Sequence, residues 1–98
     1  PPVVSVFTVY PGASAAVVDR EITETVEDAI SSIEGISTLT STSRDEVSQI
    51  TLEFILDRDL EAAAADVRDK IGQVRAQLPE AAEDPVISKT AGEAGPVM

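Results

Sequence analysis

Cysteine and histidine are both absent from this 98-residue chain. Their absence excludes thiol nucleophiles, histidine general bases, Ser-His-Asp relays and Cys/His zinc centres. What remains are carboxylates, hydroxyls and a few amides. Asp57-Arg58-Asp59 has the acidity of a Ca²⁺ site but not an ordered ligand loop, so it reads as the cap of a following helix. Pro11-Gly12-Ala13 is a turn at a strand–helix junction, but no arginine lies near Gly12 to hold a phosphate, which argues against acylphosphatase-like chemistry. The set left with a definite use is Phe7, Gln49, Thr51 and Ser88. Together they offer apolar contact and adaptable hydrogen bonding, the means of binding rather than of bond breaking. No enzymatic activity, cofactor or metal is expected.

Seven Lys and Arg against eighteen Asp and Glu give a formal charge of −11. Nucleic acids and anionic lipid surfaces are repelled by such a chain. Its three aromatics, Phe7, Tyr10 and Phe54, are too few for a base-stacking platform, so an RNA-recognition module is excluded. The length suits one small domain. No apolar run approaches the roughly 20 residues needed to span a bilayer. The chain opens Pro-Pro and stops in mid-pattern at Pro96-Val97-Met98, and is expected to be a piece of something longer.

The elements that must position these residues follow from periodicity. Val3–Tyr10 is a β-branched strand ended by Pro11-Gly12, and Ser14 is placed to cap the helix that follows. That helix is expected over Ala15–Ile33, with Val18, Ile22, Val26, Ala29 and Ile33 on one stripe. Gly35 is expected as its left-handed stop, backed by Ile36. A Ser/Thr-rich strand, Ile36–Ser43, turns at Arg44-Asp45-Glu46 into Val47–Leu56. There Ile50, Leu52, Phe54 and Leu56 point inward, and Val47, Gln49, Thr51 and Glu53 outward. Asp57 or Asp59 caps a second helix that runs to about Leu78, before Pro79. Its apolar stripe is Leu60, Ala63, Ala64, Val67, Ile71, Val74 and Leu78. A polar connector, Pro79–Pro85, leads to a short strand, Val86–Ser88, and Ala91–Pro96 reads as an exit linker.

The order β-α-β-β-α-β predicts an α+β fold of the ferredoxin-like kind: a four-stranded antiparallel sheet with two helices on one face. The opposite face is left bare, and Phe7, Gln49, Thr51 and Ser88 fall on it. Such a face meets another domain or a ligand.

The ordered set VVSVFTVYPGAS, Val26-Glu27-Asp28, Gly35-Ile36, Ile50-Thr51-Leu52-Glu53-Phe54, Asp69-Lys70-Ile71 and Leu78-Pro79 resembles the hydrophobe/amphiphile efflux pumps of the resistance-nodulation-division superfamily, over nearly the whole chain. The resemblance implies the first periplasmic porter subdomain of a bacterial inner-membrane protein. Residues 1–90 would form that subdomain and 91–98 begin the linker to the next. It further implies a proton-driven homotrimer that exports lipophilic compounds, with the other porter subdomains, a periplasmic adaptor and an outer-membrane channel as partners. The family's proton-relay carboxylates lie in membrane helices, so no Asp or Glu here inherits that role.

Two surfaces carry over by position. The bare sheet face, with Phe7, Gln49, Thr51 and Ser88, would border the substrate route; an inter-domain packing face is the plainer reading. Glu61, Ala65 and Asp69, opposite the apolar stripe of the second helix, would face the trimer axis; a solvated helix face is the alternative. A small-molecule-binding regulatory domain of the ACT type shares the same element order. It would bind at the strand–helix junction, where Pro11-Gly12-Ala13 sits.

Overall fold

The computed structural model describes residues 1–90. Its strands are β1 (Val3–Val9), β2 (Ile36–Arg44), β3 (Val47–Phe54) and β4 (Val86–Thr90). The first helix is continuous but composite: α1 (Ala15–Val18), a π-helical turn (Asp19–Thr23) and α2 (Glu24–Ile30). The second helix, α3 (Leu60–Val74), ends in a 3₁₀ turn, Arg75–Gln77. The strands form one sheet in the order β2-β3-β1-β4, every neighbouring pair antiparallel. This is the expected ferredoxin-like arrangement.

Burial alternates along the strands and assigns the faces. Val4 and Val6 of β1 and Ile50, Leu52 and Phe54 of β3 are buried. Their outward neighbours Val3, Ser5, Gln49, Thr51 and Glu53 are only half-buried. Val18, Ile22, Val26 and Ile30 of the first helix and Ala63, Ala64, Val67 and Ile71 of the second complete a single core. Paired alanines let α3 sit close to the sheet.

The π turn resolves a mismatch of period. The fully buried residues of the first helix, Val18, Ile22, Val26 and Ile30, recur every four positions. An α-helix turns every 3.6 residues, so each step drifts by about 40°. The longer turn, closed by the Glu24 N–H donating to the Asp19 carbonyl, absorbs the surplus. Ile30 therefore takes the fully buried place expected of Ala29, which is half-buried.

Several boundaries differ from the sequence expectation. The first helix ends at Ile30, not Ile33: Ser31 N–H donates to the Glu27 carbonyl at 2.9 Å and Ile33 N–H to that of Ile30 at 3.1 Å. Gly35 instead opens β2. Its φ of +88° keeps the left-handed conformation that favours glycine, and a Cβ there would lie 3.0 Å from Arg58 Cδ, so the arginine side chain would have to shift. Leu56 is not inward. β3 ends at Phe54, Ile55 N–H is taken by the Gly35 carbonyl, and the chain turns away, leaving Leu56 80% exposed. β1 stops one residue early because Tyr10 N–H turns to the Glu46 carbonyl. The expected exit linker, Ala91–Pro96, lies outside the described residues.

Candidate functional site

The bare face is a grid defined by strand register. Phe7 stands opposite Gln49 on β3 and Val86 on β4. In the next row Ser5 stands between Thr51 and Ser88. The four residues singled out from sequence thus fall in two adjacent rows of one surface. Both rows extend onto β2 through Thr42, paired with Gln49, and Thr40, paired with Thr51. No charged side chain interrupts these rows in a chain of net charge −11. Phe7 is 41% and Val86 57% exposed, an apolar patch beside hydroxyls and one amide.

Ser5, Thr40, Thr42 and Val86 are the members that sequence reasoning did not nominate. Ser5 already shared the Phe7 side of β1 by alternation. The threonines needed the β2–β3 register, which a bulge between Ile36 and Thr38 shifts; alternation counted from Ile36 would misplace them.

A polar lock holds the sheet beneath the first helix. Buried Thr23 shares hydrogen bonds of 2.8 Å with Ser48 of β3 and with Ser43 of β2. Ser43 in turn donates to Asp19 at 2.9 Å. Because an ionised carboxylate only accepts, the hydroxyl protons are all directed toward Asp19.

The strand–helix junction is closed upon itself. Ser14 caps the first helix, accepting from Val17 N–H at 3.3 Å. Asp45 accepts from Ala15 N–H at 2.9 Å, and Glu46 accepts from Gly12 N–H at 3.1 Å. Glu46 also donates its own N–H to the Ala13 carbonyl. The N–H groups that a regulatory ligand would need at Pro11-Gly12-Ala13 are thus already engaged: that of Gly12 by the Glu46 carboxylate and that of Ala13 by the Tyr10 carbonyl at 3.2 Å, while proline has none. Nearby, the Tyr10 hydroxyl donates to Glu21 at 3.4 Å. Desolvation of the phenol, then the Glu21 charge and this bond, hold its pKa above the ordinary value.

On α3, Glu61 and Asp69 are exposed and Ala65 is half-buried, on the flank away from the core. Glu61 is paired with Lys89 of β4 at 2.6 Å. Asp59, not Asp57, caps the helix, accepting from Ala62 N–H at 2.9 Å. Arg58 holds Asp66, donates to the Glu34 carbonyl and lies 5.8 Å from the Phe54 ring centroid. No cluster of metal-ligating side chains occurs among the described residues.

Comparison with known proteins agrees with this geometry. The family model described as "AcrB/AcrD/AcrF family" matches residues 1–98. An uncharacterized transporter of Haemophilus influenzae is 37% identical over 93 residues, 95% of this chain and 9% of that protein. The swarming motility protein SwrC of Bacillus subtilis is 32% identical over 97 residues, 99% of this chain and 9% of that protein. The multidrug resistance protein MdtC of Pectobacterium carotovorum is 36% identical over 98 residues, 99% of this chain and 10% of that protein. The chain spans about a tenth of the length of these relatives. The chain belongs to the AcrB/AcrD/AcrF family of resistance-nodulation-division transporters.

Proposed function

We infer that this chain serves as the first periplasmic porter subdomain of a proton-driven efflux pump in a bacterial inner membrane, its bare sheet face bordering the path of a lipophilic compound. Residues 1–90 make up the subdomain and 91–98 lead to the next. One observation carries the reading: the two central rows of the uncovered face are uncharged, part apolar and part hydroxyl. Phe7 supplies a flat apolar contact, and Gln49, Thr51 and Ser88 supply donors and acceptors that re-orient cheaply. A cargo of variable shape is better held by such groups than by fixed ion pairs. No helix among the described residues is long and apolar enough to cross a membrane, which fits a segment standing outside the bilayer.

In this reading the partners of the face are the other porter subdomains of the same chain, with an adaptor and an outer-membrane channel completing the export route. Glu61, Ala65 and Asp69 face the axis of a homotrimer. Ala65 permits close approach of three helices, and Lys89 partly offsets the repulsion that three copies of Glu61 would create. Proton coupling is left to membrane segments.

The test uses the full-length transporter in an efflux-deficient host. Thr51→Trp, which fills the middle of the face, and Phe7→Ala are each expected to remove most export of lipophilic compounds at unchanged protein level. Ser32→Ala, in the exposed turn after the first helix, is expected to leave it intact. Full export by Thr51→Trp would overturn the reading.

A further inference from the structure

The uncharged rows of the sheet face are bounded at one end by a carboxylate. Glu53 of β3 lies in the row beyond Thr51, between Val3 of β1 and Thr38 of β2, and is half-buried. None of the three salt bridges among the described residues uses it: they join Arg58 to Asp66, Arg75 to Asp84 and Lys89 to Glu61. Residues 91–98 contain no lysine or arginine. At the other end of the face, beyond Gln49, Arg44 pairs in register with Val47. The uncharged rows, with Phe7 and Val86 in one of them, therefore end at the Glu53 carboxylate on one side and at Arg44, followed by Asp45 and Glu46, on the other.

We propose that Glu53 selects elongated lipophilic cations, taking their charged head while the apolar tail lies over Phe7 and Val86. The inference rests on the porter reading and names its substrate class. Glu53 and Gln49 are four residues apart on one strand, so the carboxylate and the Phe7 row are separated by about 13 Å. A single-chain surfactant with a quaternary ammonium head spans that distance; a neutral compound of the same length gains the apolar contact alone. The chain's acidic balance adds long-range attraction for the cation.

A matched pair of probes tests this in the full-length transporter: dodecyltrimethylammonium, a permanent cation, and dodecyldimethylamine N-oxide, which has no net charge at neutral pH. Glu53→Gln keeps the side chain's shape. It is expected to raise the KM for export of the cation about fivefold, the scale of one half-exposed ion pair. Export of the N-oxide and kcat for both should stay within about twofold of wild type, and Glu53→Lys should penalise the cation further. An equal loss for both probes would overturn the proposal; it is the result expected if a basic side chain of a neighbouring subdomain sits on Glu53. Unchanged export of the cation by both variants would overturn it too. Failure of the wild type to export either probe, or indifference of both probes to Thr51→Trp, would sink the porter reading and this inference with it.

Discussion

Along β3, Ile50, Leu52 and Phe54 are at most 1% exposed, whereas the interleaved Gln49, Thr51 and Glu53 remain half-exposed. One strand thus serves two purposes, separated by its two-residue period. The helix-covered face buries apolar surface and holds the fold together. The open face contributes little to stability, so its residues are free to be chosen for contact with something else. Function and folding are carried by alternate residues, and substitutions on the two faces should have effects of different kinds.

The largest expected effect comes from emptying the covered face. Phe54→Ala should cost about 3–5 kcal/mol, whereas Phe7→Ala should stay within about 0.5 kcal/mol, both by urea unfolding of the chain. Equal costs would erase the distinction between the faces. The polar lock comes next. Thr23→Val leaves the buried Ser48 hydroxyl without its partner and should cost about 1–3 kcal/mol. Adding Ser48→Ala should recover part of that loss, whereas strict additivity would show that the lock is not a unit.

Gly35→Ala should cost about 1–2 kcal/mol, because a Cβ is placed in the left-handed region against Arg58. A neutral result in the same unfolding measurement would show that the turn into β2 relaxes freely. The smallest effect is one of pH. The Tyr10 pKa is raised in the folded chain, so its contribution is fully present below the unfolded value near 10 and is lost as pH rises through the folded value. Tyr10→Phe should flatten that alkaline decline; an unaltered profile would show that neither desolvation of the phenol nor the Glu21 contact couples its ionisation to folding.

Much of this architecture is legible in the residues themselves. Pro11-Gly12 with Ser14 marks the strand–helix junction, the alternation from Val47 to Phe54 assigns both faces of β3, and Asp57 or Asp59 starts α3, a choice the structure settles for Asp59. What escaped depends on partners distant in sequence. Leu56 continues the alternation perfectly, yet the Gly35 carbonyl captures Ile55 and ends the strand. The π turn leaves its trace in the four-residue spacing of Val18, Ile22, Val26 and Ile30, but an α-helical template accommodates Ala29 instead. Asp45 and Glu46 look like an ordinary polar turn, and nothing local reveals that their carboxylates bind N–H groups about thirty residues away. The bare face was readable on β1, β3 and β4, whereas its β2 margin was concealed by the bulge.

Single cysteines placed in a full-length transporter freed of other cysteines give the most direct test of the central claim. With a membrane-permeant maleimide, Thr51→Cys should label readily, and a transported lipophilic compound should slow that labelling. Ser32→Cys, in the exposed turn after the first helix, should label at a rate the compound does not change. Labelling at position 51 that is indifferent to the compound, or slowed no more than at position 32, would contradict the assignment of the open sheet face to the transport path.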